Sequence, residues 1–323
     1  YGASEPQMNA NNLRTKGYEL VLGWRDSFKL AGSTFSYGIT GTFSDYTAEY
    51  TKCDNPTGLI GDPYVGKKYG EIWGYKVDGL FRNDKEAAEY ASRIDLSTVA
   101  SGYYTATGAY GKGVRGGDIK YLDLNGDNIV NGGKGTLDDP GDRRVIGNSS
   151  PRYQYGASLN FSWYGFDVSV FMQGIGRLDW YPGADNLRFW GPYCRPYATF
   201  VPKNFMSQVW SEENPDAYFP RARAYTSLNS NSGTAYYTND RYLQNLAYCR
   251  LKNLTIGYTI PRRLTSKVGI KECRIYFSGE NLATWSALKS DFLDPEQAAA
   301  DSDKKANVYP WCKTYSIGLN LTF

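Results

Sequence analysis

The last nine residues alternate strictly, with Tyr315, Ile317, Leu319, Leu321 and Phe323 on one side and Ser316, Gly318, Asn320 and Thr322 on the other. A period of two with one apolar side is the signature of a strand. Its length is close to the roughly 9 to 11 residues with which a tilted strand crosses a bilayer. The pattern recurs upstream: Tyr18, Leu20, Leu22 and Trp24 oppose Gly17, Glu19, Val21 and Gly23, and Phe35, Tyr37, Ile39 and Phe43 oppose Ser36, Gly38, Thr40, Thr42 and Ser44. A hairpin follows, in which Tyr153, Tyr155, Ala157, Leu159, Phe161 and Trp163 precede Tyr164-Gly165, and Phe166, Val168, Val170 and Met172 return. Leu254, Ile256, Tyr258 and Ile260 stop at Pro261, and Ile275 and Phe277 resume after a connector with room for a helical turn. Seven crossing strands are expected.

The connections between them alternate in length. Asp26 to Ser33, Tyr164-Gly165 and Pro261 to Lys271 are short, whereas Asp45 to Pro151, Gly174 to Tyr242 and Trp285 to Trp311 are long. Transmembrane barrels have this parity, with short turns on the periplasmic side and long loops outside. Every short turn then falls on the side of the C-terminus. Trp24, Trp163 and Phe323 would form the periplasmic aromatic girdle and Tyr18, Tyr153 and Tyr315 the outer one. The expected fold class is therefore all-β: the C-terminal strands of a large antiparallel transmembrane β-barrel with long extracellular loops, residues 1–323 in all. The insertion over 45–151 is long enough to need a small fold of its own, including a helical turn at Asp84 to Ala91. A soluble β-sandwich alternates in the same way, so a soluble or surface-displayed carbohydrate-binding β-protein is the alternative.

Composition narrows the function classes. Only 41% of residues are apolar, yet 16% are aromatic, including 29 tyrosines, and a barrel with a polar lumen keeps average hydropathy low in just this way. No stretch approaches the ~18 apolar residues of a spanning helix. A net charge of +3 gives no basic stripe for nucleic acid. Histidine is absent, which removes Ser-His-Asp and Cys-His catalysis and the commonest zinc ligand. Cys53, Cys194, Cys249, Cys273 and Cys312 have no metal-ligand spacing. Tyr1 is not a methionine and no export signal is visible, as expected of a processed chain or a fragment.

Several ordered segments carry a resemblance over nearly the whole chain: Gly117-Asp118-Ile119-Lys120-Tyr121-Leu122-Asp123-Leu124-Asn125-Gly126-Asp127, Arg143-Arg144-Val145-Ile146-Gly147-Asn148-Ser149-Ser150-Pro151-Arg152-Tyr153, and Leu251 to Tyr258. Ser278-Gly279-Glu280-Asn281-Leu282, Asp294-Pro295-Glu296 and Leu319 to Phe323 continue it. They resemble the SusC/RagA class of TonB-dependent outer-membrane transporters of Bacteroidetes. That resemblance implies a barrel of about 22 strands, an N-terminal plug and a segment meeting the TonB complex, both upstream of this sequence. It also implies a SusD-like surface lipoprotein as lid, outer-membrane lipid around the wall, and import of oligosaccharides or oligopeptides. By resemblance to other outer-membrane proteins, Phe323 ends a signal for barrel insertion.

Two groups of residues stand out as candidate sites. Trp180, Tyr181, Trp190, Tyr193 and Tyr197 crowd the second long loop beside Asp185, Arg188 and Arg195, a mixture suited to stacking on substrate or meeting a partner, or to packing the loop against itself. Asp123, Asn125 and Asp127 have the spacing that opens a calcium loop, with the Ile129 carbonyl next. Lys134 occupies the position of the usual closing glutamate, so Asp138, Asp139 or Asp142 would have to close it. Glu280, Asp291, Asp294 and Glu296 do not form a fixed pair of the kind glycoside hydrolysis needs, and no enzyme activity is expected.

Overall fold

The computed structural model describes residues 9–105, 113–184, 186–194, 201, 203–223, 234–290, 292–300, 309 and 311–323. Seven strands form one antiparallel sheet: β1 (Asn12–Leu30), β2 (Ser33–Lys52), β3 (Arg152–Trp163), β4 (Phe166–Arg177), β5 (Tyr248–Thr259), β6 (Glu272–Ser286) and β7 (Thr314–Thr322). Each pairs with the one before it in sequence, and the sheet is open at β1 and β7.

β1 and β2 run far beyond the alternating cores read from sequence. Charged residues such as Arg25, Asp26 and Lys29 do not stop β1, because a hairpin ends where its turn chemistry permits, here at Ala31-Gly32 rather than at Asp26. Both turn residues have positive φ (48° and 84°), as do Tyr164 and Gly165 (49° and 84°). This matches the primed two-residue turn whose twist suits a hairpin. The Trp163 indole N–H donates to the Leu30 carbonyl at 3.2 Å and the Tyr164 hydroxyl to the Ala31 carbonyl, so the two turns lie together. The third connector carries a short helix, Arg262–Thr265, and Lys271 Nζ donates to the Phe323 carbonyl at 2.7 Å. The C-terminus thus sits at the turn end of the sheet, as the length parity requires.

Register joins the separate alternations into two surfaces. One row of cross-strand neighbours reads Asp26, Tyr37, Phe161, Val168, Ile256, Phe277 and Ile317; the next reads Trp24, Ile39, Leu159, Val170, Leu254, Gly279 and Tyr315. The opposite face reads Ser36, Ser162, Asp167, Gly257, Tyr276 and Gly318. Leu22, Phe161, Ile256 and Ile317 on the apolar face are all exposed, Ile317 by 84%. So continuous an apolar face is foreign to the surface of a water-soluble monomer. The polar face has its own order: Arg274 spans β5 to reach Asp167, with Nε to Oδ1 at 2.9 Å and Nη2 to Oδ2 at 2.5 Å. Gly257 lies beneath the bridge, and a Cβ there would come within 2.5 Å of both partners. Gly257→Val should displace the pair and lower stability by up to about 1 kcal/mol, the usual value of a partly exposed bridge. An unchanged thermal midpoint would show that the glycine is not needed for it.

The long connections gather at the other end into a body with one hydrophobic core. The first does not fold alone over 45–151: residues 45 to 52 belong to β2, and the rest shares its core with the second and third connections. Within it Glu71–Gly74 pairs with Arg144–Asn148, and Val77–Leu80 with Ile119–Tyr121. Helix α1 (Asp84–Ala91) lies where expected, capped by Asn83 Oδ1 accepting from Glu86 N at 2.9 Å. The second connection adds Trp190, Phe219 and Tyr242, all buried. Asn239 ties the two, its Nδ2 donating to the hydroxyls of Tyr181 at 2.9 Å and Tyr121 at 3.3 Å. Asp118 and Arg223 form a buried ion pair across the same seam, and burial pushes the Asp118 carboxyl up to about 7 against the pull of Arg223.

Candidate functional site

Four of the five rings singled out in the second loop are core residues. Trp180, Tyr181, Trp190 and Tyr193 are at most 6% exposed. Trp190 meets Phe189 and Tyr242 edge to face, at 4.7 Å and 5.0 Å between centroids. The Tyr193 hydroxyl donates to the Pro220 carbonyl at 2.5 Å and Tyr181 to Ala235 at 2.8 Å. No free ring face is left for a sugar, because a loop this long must bury aromatics to hold itself together. Tyr197, Asp185 and Arg195 lie outside the described residues.

The rings that do line an opening come from elsewhere. An open cleft of about 420 Å³ is bordered by Trp73, Tyr236, Tyr237, Arg143, Lys134 and the glycines of segment 132–135. Arg143 Nη2 donates to the Gly132 carbonyl at 2.8 Å. A Cβ at Gly135, whose φ is +72°, would come within 2.9 Å of that same nitrogen, so the glycine loop wraps the guanidinium closely. Tyr75, at the back, meets Tyr237 edge to face at 6.0 Å. Burial raises the pKa of both phenols, and Arg143 pulls Tyr75 back only in part, so both stay protonated at neutral pH. The cleft offers flat faces, a fixed cation and no lining carboxylate. Flat aromatic faces beside a fixed polar group are the lining that ligand pockets carry. Sequence reading passed over these residues because Trp73 and Tyr236 are about 160 positions apart; the Gly-Gly-Lys-Gly run was the one local signal.

The acidic turn is closed by its own hydrogen bonds. Asp123 accepts from Gly126 N and Asn128 N at 2.7 Å and 2.9 Å, Asn125 Oδ1 from Asp127 N at 3.0 Å, and Asp127 Oδ1 from Ile129 N at 2.8 Å. Of the carboxylates considered for closure, Asp142 reaches the turn, accepting from Leu124 N at 2.7 Å and Asn131 N at 2.9 Å. Among the described residues no three His, Cys, Asp or Glu side chains gather to hold a metal ion. This is the geometry of linked Asx turns.

Asp294 and Glu296 are likewise committed. Arg250, 1% exposed, donates to Asp294 at 2.6 Å, to Glu296 at 2.7 Å and to the Thr284 hydroxyl at 2.9 Å, and Lys252 holds Glu296 at 2.7 Å. Glu280 stands apart on the polar face of β6, and Asp291 lies outside the described residues. The six residues expected in the girdles, Tyr18, Trp24, Tyr153, Trp163, Tyr315 and Phe323, are all exposed. Trp163 and Phe323 lie toward the turn end and Tyr18 and Tyr153 toward the body, whereas Trp24 and Tyr315, expected in opposite girdles, share one cross-strand row.

Comparison with known proteins finds relatives along the whole chain. The chain is 26% identical over 329 residues to the TonB-dependent receptor P26 of Formosa agariphila, across 99% of its own length. The receptor P3 of the same organism is 24% identical over 344 residues, across 100% of the chain. A solved structure of the RagAB peptide transporter superposes on 98% of the chain with a TM-score of 0.63 and 18% identity. The chain is similar to TonB-dependent receptors along its whole length and shares its fold with part of the RagAB transporter. No family model matches it. The chain spans less than a third of the length of the curated relatives it matches, 28% and 30%. RagAB is also solved as a peptide importer in an open-open state, with a TM-score of 0.59 and 17% identity.

Proposed function

We propose that this chain forms part of the wall and outer body of an outer-membrane importer of oligosaccharides or oligopeptides. The observation that carries the reading is the exposed apolar face shared by seven antiparallel strands, with short turns at one end and a folded body at the other. On this reading the C-terminus is periplasmic and the body extracellular. Further strands close the barrel between the edges of β1 and β7, the plug and the segment on which the TonB complex acts lie upstream, and a SusD-like lipoprotein covers the body. The cleft at Trp73, Tyr236 and Arg143 contacts substrate on its way to the lumen.

The test uses the full-length transporter. It should run as a heat-modifiable, β-rich band in detergent, and its deletion should abolish uptake of one oligomer class, glycan or peptide; extraction in plain buffer as a monodisperse monomer would overturn the reading. A paired change, Trp73→Ala with Tyr236→Ala, should weaken substrate binding about tenfold. Each lost aromatic contact carries about 0.5–1.5 kcal/mol. Unchanged affinity would move the substrate path away from this cleft.

A further inference from the structure

Sheets avoid like charges directly opposite one another, yet Arg152 at the start of β3 is the cross-strand partner of Arg177 at the end of β4. The pair sits where β2 and β3 part company. Their register ends at Ser44 and Gln154, and beyond it Tyr50 N and Tyr69 N bond across to segment 66–69 and to Ala48 instead. A gap of about 480 Å³ opens at the split, bordered by Arg152, Arg177, Lys68, Tyr69, Tyr153 and Glu71, among others.

Both guanidiniums are held from behind. Arg152 Nε and Nη2 bind the buried Asp45 at 2.5 Å and 2.6 Å, and Arg177 Nε and Nη2 bind the buried Asp179 at 3.2 Å and 2.9 Å. These contacts leave the Nη1 edge of each arginine without a partner among the described residues. Glu71, the one carboxylate on the lining, already accepts from the Tyr64 hydroxyl at 2.6 Å and Lys68 N at 2.9 Å. The backbone bends here too: Tyr153 has φ +56°, uncommon for a bulky residue, and its ring lies under Arg152 at 5.0 Å. Breaches of sheet pairing and of backbone preference at one place are the mark of a functional site.

The surroundings indicate which anion fits. Tyr153 stacks on Phe43 at 6.5 Å and Phe43 on Tyr18 at 6.0 Å, a row that runs along the apolar face directly beside the gap. Tyr18 and Tyr153 are 57% and 43% exposed. Cations next to an exposed aromatic row match the level of phosphate headgroups at a membrane surface. The geometry points to a binding site for the phosphate of an outer-leaflet lipid, gripped by Arg152, Arg177 and Lys68 while its chains lie along Tyr18, Phe43 and Tyr153. This rests on the transmembrane reading above.

The test is binding of diphosphorylated lipid A, and of lipid A stripped of phosphate, to the full-length transporter in neutral detergent, read by native mass spectrometry. Phosphorylated lipid should bind at least tenfold more tightly than the stripped form. Lys68→Gln with Arg177→Gln should remove most of that preference. Arg152→Gln strands the buried Asp45, so Lys68→Gln alone, which disturbs neither buried pair, keeps the test sound and should cost about threefold. Equal binding of the two lipids, or a preference that survives the double change, overturns the site. So does inorganic phosphate displacing the lipid at equimolar concentration, because the aromatic row then contributes nothing. A heat-modifiable band in the same preparation separates failure of this site from failure of the transmembrane reading.

Discussion

Replacing Arg250 by alanine should release the third long connection from the sheet and cost roughly 3–5 kcal/mol. That is the range seen when one partner of a buried ion pair is removed. Among the described residues Arg250 is the sole cationic partner of Asp294; it shares Glu296 with Lys252 and is itself 1% exposed. Without it two largely buried carboxylates face a seam with one cation left. Limited proteolysis of the full-length protein should then cut between 287 and 300, and the same treatment should leave that stretch of the unaltered protein intact. A second variant tells the charge from the packing: Arg250→Met combined with Asp294→Asn and Glu296→Gln removes the stranded charges and should recover much of the loss. Resistance to proteolysis in the single alanine variant would show that other contacts hold the segment.

Trp190→Ala should be as severe for the body, about 3–5 kcal/mol, because it removes the largest fully buried ring and leaves a cavity its neighbours cannot fill. Phe189, Phe219, Tyr242 and Tyr181 all have ring centroids within 6.4 Å of it. The thermal transition of the body in detergent should fall by several degrees while the barrel's heat-modifiable band persists. If both transitions fall together, body and wall unfold as one unit; if neither falls, the core is not organised around Trp190.

What could be read from sequence was whatever repeats locally. Strict alternation at Tyr315 to Phe323 and at Tyr153 to Trp163 located strands, and the parity of connection lengths oriented them, because both depend on neighbours in the chain. The far ends of β1 and β2 were not legible, since a strand held by its partner tolerates Arg14, Lys16 or Arg25. Ring side chains showed the same limit. Trp180 and Trp190 had the composition of a binding surface, but composition does not say which side of a loop faces inward. The cleft at Trp73 and Tyr236, and the opposed Arg152 and Arg177, exist only once distant segments meet.

The pairing of Glu71–Gly74 with Arg144–Asn148 bears on the order of assembly. Pairing β2 with β3 closes a loop of about a hundred residues, which for a flexible chain costs about 3–4 kcal/mol more entropy than a two-residue turn. Contacts inside the body fix positions within that loop and shorten its effective length. A body formed early would act as a clip that brings the two hairpins together, making their mutual pairing a nearly local event.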